Sequence, residues 1–159
     1  MNFLKKNRFK FIITFLILVF IIVSYFLLWV HVPYVTHSND LNNIQQEICD
    51  KHKYTYDNYF NEYNSDKTYY VMKVKVKKKT TYVVYNTKEN LVYTNAKKLV
   101  SKQTVKDSFK NKYKHDNSSI ELGYENSELV YALKYQESDT LIYFYYDAHT
   151  GEFIKGYNL

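Results

Sequence analysis

The chain is poor in residues that cross-link, punctuate or cradle. Its 159 residues include one cysteine, one proline and three glycines. A lone Cys49 allows no internal disulfide, so an exported domain of this sequence must be held by its core. No glycine-rich phosphate loop is present. The five histidines (His31, His37, His52, His115 and His149) show neither H-x-x-x-H nor H-E-x-x-H spacing, the usual zinc patterns. His52 lies one helical turn after Cys49, but no activating group accompanies the pair, and Cys49 reads as a buried structural thiol. His149 reads as a solvated turn residue, and Asp147 as a turn former whose side chain bonds the backbone. No carboxylates form a suggestive acid–base pair. These absences predict a chain that is not an enzyme and carries no cofactor or metal.

Negative charge is also missing at the start: no acidic residue precedes Asp40. What fills the gap is Phe11 to Val30, FIITFLILVFIIVSYFLLWV, without charge, proline or glycine. About 20 apolar residues at about 1.5 Å each cross a bilayer, and a helix satisfies the backbone amides that hydrocarbon cannot. Lys5, Lys6, Arg8 and Lys10 precede the run and predict a cytoplasmic N-terminus, with everything after Val30 outside. Trp29 stands where an interfacial aromatic would anchor the helix. The alternative, a cleaved signal peptide, has a shorter apolar core of about 7–15 residues and a small-residue cleavage site. Residues 31–35 offer no such site, and the uncleaved anchor is the expectation.

The formal charge is +6. Four of the 22 basic residues precede Phe11, so the remainder carries 18 basic against 16 acidic residues. That balance, with the topology, argues against a nucleic-acid partner. Tyrosine is abundant, 19 of 159. Such usage has two readings: an aromatic surface for carbohydrate or peptide, or the composition of an AT-rich genome with tyrosine filling core and sheet positions.

Along the chain, 1–10 reads as a cytoplasmic tail, 11–30 as the transmembrane helix and 31–38 as a connector. Extended, those eight residues reach at most about 28 Å and would hold the outer domain near the membrane. Ser38 or Asp40 caps a predicted helix to about Lys53, with Leu41, Ile44 and Ile48 on one face. Residues 54–64 are extended. Thr68–Lys77 alternates clearly, with Tyr70, Met72, Val74 and Val76 on one face and a mostly polar face of Val71, Lys73, Lys75 and Lys77 on the other. Further strands are predicted over Thr80–Tyr85 and Leu91–Thr94. The pattern then recurs: a helix capped by Ser101 and running to about Lys114, then strands over Ile120–Tyr124, Leu129–Tyr135, Leu141–Tyr146 and Glu152–Tyr157.

The two halves register at a constant offset of 61 residues. Asp40 pairs with Ser101, Ile44 with Val105, Ile48 with Phe109, Tyr63 with Tyr124, Tyr70 with Tyr131, Met72 with Leu133, Tyr85 with Tyr146, Asn86 with Asp147, and Asn90 with Gly151. Caps, core and turns falling together predict an internal duplication over 39–97 and 98–159. The fold class expected is α+β, a transmembrane helix followed by two tandem units of one helix on an antiparallel sheet.

Lys75, Lys77, Lys78 and Lys79 form the one charged feature of some length and are the candidate interaction surface. They suit anionic wall polymers or lipid headgroups; equally, lysines guard a sheet edge against pairing with other chains.

A short tail, one anchor and two helix-plus-sheet repeats ending YFYYDAHTGEFIKGYNL resemble PepSY-type repeats, and the turn Asp147-Ala148-His149-Thr150-Gly151 is the element that carries the likeness. The first repeat departs from it, with Asn86-Thr87-Lys88-Glu89-Asn90 and no glycine. The whole layout resembles the TseB-like cell wall elongation regulator family, whose outer part is cystatin-like; residue usage by itself suits a low-GC Gram-positive bacterium. That resemblance implies a non-enzymatic, membrane-anchored regulator of peptidoglycan synthesis that works with a penicillin-binding protein, and it supplies no catalytic residues. The PepSY likeness also admits an inhibitor of an extracellular protease, and the tyrosines a ligand-sensing module. A sheet edge or the helix-free sheet face is the expected contact surface.

Overall fold

The computed structural model describes residues 2–116 and 118–159, with side chains from Arg8 onward. The protein is α+β: a long apolar N-terminal helix followed by two antiparallel four-stranded sheets. It divides into two compact units, Met1–Ile44 and Gln45–Leu159.

The first unit is helical throughout its described residues. Helix α1 spans Asn2–Phe26. A π-helical turn, Leu27–His31, follows, and α2 then runs over Val32–His52. The stretch 31–38, expected to be an extended connector, is therefore helical, and Asp40 lies inside a helix instead of capping one. Eight helical residues advance only about 12 Å. Pro33 explains the wide turn. A proline ring collides with the carbonyl four residues back, here that of Trp29, and a π turn is a usual way to loosen that ladder. The Val32 N–H reaches the Leu27 carbonyl, five residues back, across this turn. Among the described residues, one helix is long and apolar enough to cross a membrane, lying within Arg8–His52.

The second unit begins in the last turns of α2, which ends at Lys53 with positive φ. Strands β1 (Thr55–Asn64), β2 (Thr68–Val76), β3 (Lys79–Asn86) and β4 (Leu91–Asn95) form the first sheet in chain order. Helix α3 (Lys102–Tyr113) follows, capped by Ser101, whose hydroxyl accepts from the Thr104 N–H at 3.0 Å. It ends at Lys114, again with positive φ. Strands β5 (Ser118–Glu125), β6 (Glu128–Glu137), β7 (Thr140–Asp147) and β8 (Phe153–Asn158) form the second sheet, also in chain order.

The halves correspond element by element, but not without a gap. The helix ends at Lys53 and Lys114 and the pairs Tyr70–Tyr85 and Tyr131–Tyr146 keep the offset of 61. In the last hairpin Tyr85 stands opposite Leu91, while Tyr146 stands opposite Phe153, so the second turn is one residue longer. The first strand shifts the other way. Tyr63 faces Tyr69, whereas Tyr124 faces Leu129. Because paired residues share a face and successive residues alternate, Tyr63 sides with Val71 and Tyr124 with Leu133. The register partner of Tyr63 is Gly123, not Tyr124.

One face of each sheet carries its expected apolar row. In the first, Tyr70, Met72, Val74, Val83 and Tyr85 are buried, with Ile48 and Cys49 of α2. In the second, Tyr131, Leu133, Tyr135, Phe144 and Tyr146 are buried, with Val105 and Phe109 of α3. The Phe109 ring lies 5.6 Å from that of Tyr135 and 5.2 Å from that of Phe144.

The opposite face of the first sheet corrects the sequence reading. It is not a free polar surface: Val71 and Val84 are fully buried, in one core cluster with Leu99, Val105, Leu122 and Tyr124. The second half supplies the cover. The Tyr124 ring meets Tyr69 at 5.0 Å and Tyr93 at 5.4 Å. The Tyr63 ring lies directly over Gly123, where any Cβ would overlap it. The two sheets thus share a core, and β5 is the strand that joins them.

Candidate binding surface

An edge strand exposes unpaired N–H and C=O groups that invite other chains. The outer edge of β5 is closed by tyrosine and asparagine side chains from β1. The Tyr59 hydroxyl accepts from the Leu122 N–H at 2.9 Å and donates to the Leu122 carbonyl at 3.2 Å. Asn61 Nδ2 donates to the same carbonyl at 3.2 Å. The Tyr63 hydroxyl donates to Glu125 Oε1 at 3.0 Å, and Ser65 Oγ to the Tyr124 carbonyl at 3.3 Å. Burial pushes the Tyr59 and Tyr63 hydroxyls well above the ordinary tyrosine range, so both stay protonated donors. The odd-numbered face of β1 is a latch, and half the surface expected to receive a partner is used internally.

The lysine run is split by the hairpin. Lys73 and Lys75 grip Asp57 on β1, at 3.1 and 3.2 Å. Hydrogen bonds from Lys73 and Lys75 hold the Asp57 carboxyl below the usual carboxylate range. Val76 pairs with Lys79 across a two-residue turn, Lys77-Lys78, both with positive φ (48° and 69°). That is the backbone of a type I′ turn, which favours Asn-Gly. Lys77, Lys78 and Lys79 are exposed at the hairpin tip, whereas Lys75 is committed to Asp57. All four lysines are exposed about this hairpin, and Lys75 alone of them is ion-paired to Asp57.

Three open depressions mark the described surface. One of about 640 Å³ is lined by Ser65, Asp66, Tyr69, Glu125 and Lys155 among others. Another, of about 500 Å³, lies on the helix-free face of the second sheet, where Ala132 forms a floor beside Tyr143, Tyr145, Tyr157, Glu62 and Glu121. Tyr143 and Tyr157 stand opposite each other on β7 and β8, and Tyr157 is 51% exposed. Lys155 places its ammonium 4.7 Å above the Tyr145 ring and 5.2 Å from that of Tyr157, while pairing with Glu125. The third, a cleft of about 260 Å³, lies where the repeats meet and holds Asp57, Tyr59, Lys73, Tyr82, Lys102 and Tyr131. The helix-free face is an expected contact surface, but neither the residues of its tyrosine groove nor the cleft are legible in sequence, because each combines strands from both halves.

The residues considered for chemistry are dispersed. Cys49 is buried, with Sγ 4.0 Å from Met72 Sδ. The His52 ring instead stacks on Tyr54 at 5.4 Å and lies 5.5 Å from Tyr85. His149, expected to be solvated, is half-buried, with Nε2 3.2 Å from Asn95 Nδ2. The Asp147 carboxylate accepts from the His149 and Thr150 N–H groups, each at 2.7 Å. Burial alone would raise its pKa; those bonds outweigh burial and hold it below the usual range. Among the described residues, no three of His, Cys, Asp and Glu group to hold a metal ion.

No protein-family model matches the chain, and neither a curated protein nor a solved structure matches it.

Proposed function

We propose that the chain is a non-catalytic, membrane-anchored binding protein whose β-rich unit works outside the cell. The observation that carries this reading is one long apolar helix, basic before it, leading into a compact β-rich unit. Basic residues before the span orient the N-terminus inward. In this reading each half is a PepSY-like, cystatin-like unit of one helix on a four-stranded sheet, and the partner is a membrane protein of the cell wall machinery. Regulation of cell wall elongation through a penicillin-binding protein is the specific role, drawn from the likeness of layout. The tyrosine groove of the second sheet is its contact surface, since the matching face of the first sheet is already covered. Tyrosine suits such a surface, offering apolar area and a hydroxyl together.

Crosslinking the membrane-embedded protein in living cells, followed by capture and identification, tests this. The expected product is an adduct with a wall-synthesis enzyme, reduced at least severalfold by Tyr157→Ala. Recovery of only monomer, or of adducts indifferent to Tyr143→Ala and Tyr157→Ala, would count against it.

A further inference from the structure

We propose that the cleft between the two repeats is an oxyanion-binding site, taking a carboxylate or phosphate group between Lys102, Lys73 and the Tyr82 hydroxyl. The inference goes beyond the partner-binding reading and does not depend on it.

Lys102 is the unexplained residue. It is the first residue of α3, where the helix dipole disfavours a cation, and no acidic residue accompanies it in that turn. It is half-buried, and burial pushes its ammonium below the ordinary lysine range; Glu121 opposes this and Lys106 adds to it. Among the described residues it pairs with no carboxylate. Its Nζ has the Ile120 carbonyl at 3.4 Å and the Tyr59 ring at 4.8 Å. A half-buried ammonium that feels Glu121 but forms no ion pair with it is still disfavoured by burial, and an incoming anion would offset that.

The surroundings complete a site. The cleft lining contains Lys73 and Lys102 against Asp57 alone, and Asp57 is also bonded to Lys75 just outside. Glu121 also acts on Lys102 and Tyr59, so Lys73, Lys75 and Lys102 stand against Asp57 and Glu121. Tyr82 stands opposite Lys73 and across from Asn95 on the covered face, and it lines the cleft beside the latch tyrosine Tyr59. The strand β1 breaks register between Tyr56 and Tyr59, and Asn58, also in the lining, has a φ of 56°. Bulges and left-handed non-glycine residues of this kind concentrate beside binding sites. The volume, about 260 Å³, falls below the range of about 300–1,000 Å³ typical of drug-sized ligands. It suits a charged head group rather than a whole large molecule.

The test uses the full chain in detergent micelles, at constant ionic strength, titrated separately with inorganic phosphate and with acetate while backbone amide spectra are recorded. Saturable shifts confined to Tyr59, Tyr82, Lys102 and their neighbours are expected in at least one arm, and the responding arm identifies the group. Lys102→Met should weaken that binding about tenfold or more while leaving the unliganded protein at least as stable to heat. Tyr82→Phe should weaken it less, and Lys88→Met, at an exposed site, not at all. Absence of saturable shifts in both arms would overturn the proposal. So would binding that survives Lys102→Met, or binding lost equally with Lys88→Met, which would mark diffuse surface charge.

Discussion

Tyr59 shows how much one hydroxyl can hold. Its oxygen satisfies both the N–H and the C=O of Leu122, on the outer edge of β5. Removing it leaves the N–H without its partner in a buried setting, while the carbonyl keeps Asn61. Tyr59→Phe should therefore cost about 1–3 kcal/mol, read as a lower denaturant midpoint with an unchanged slope. A loss below about 0.5 kcal/mol would mean that water replaces the hydroxyl freely. At this scale the sequence was only partly legible. Burial of Cys49, Ile48, Val105 and Phe109 follows from helical spacing. The role of Tyr59 does not, since its partner is 63 residues away and is a backbone group. Gly123 is equally silent in sequence: only the Tyr63 ring above it shows why a side chain is excluded.

The hairpin between β2 and β3 is the element whose chemistry and geometry disagree. Lys77 and Lys78 both adopt left-handed backbone, a state that L-residues other than Asn, Asp and Gly pay about 1 kcal/mol to enter. The equivalent strain recurs at Asn126-Ser127 between β5 and β6, where Asn suits its position better. Replacing Lys77-Lys78 with Asn-Gly should stabilise the protein by roughly 1 kcal/mol, checked by thermal melting. No gain would show that the lysines are not strained there. If the double variant gains stability but loses recruitment of a partner, the lysines are functional rather than guards of the edge. Elements as such were readable: eight strands and α3 fall close to their alternation and cap signals. The connector at 31–38 was not. Pro33 lies within it, yet a π turn precedes the ring and the helix continues. Likewise, the offset of 61 that relates the two halves is visible in sequence, but the one-residue slips in the first strand and last hairpin are not. A slip of one residue exchanges the faces of a strand, and this moved Tyr63 from the helix side to the shared core.

At the scale of the whole molecule, tyrosine carries the packing. Tyr131 and Tyr146 are buried, and burial pushes each hydroxyl up to about 12. An unfolded tyrosine ionises near 10. The folded state thus holds these protons more tightly than the unfolded state does. The associated stability is fully present below about pH 10 and is lost as the pH rises through about 12. Tyrosinate absorbance should climb in two stages: exposed rings first, then a cooperative rise that coincides with loss of circular dichroism. A single stage near pH 10 with the fold intact would contradict the packing described. The covered face of the first sheet also explains why the second half offers the free surfaces. That asymmetry between two halves of the same element order comes from their contact with each other, which no pattern within either half encodes.

Whether the β-rich unit faces outward from a membrane on an uncleaved helix is read by labelling intact cells. Lys78→Cys places a thiol at the exposed hairpin tip, while the native Cys49 is buried and serves as the internal control. A membrane-impermeant maleimide should label full-length Lys78→Cys protein in intact cells and leave the parent protein unlabelled until it is denatured. Labelling of Lys78→Cys only after the membrane is opened, or recovery of a labelled chain shortened by its first thirty or so residues, would contradict the account.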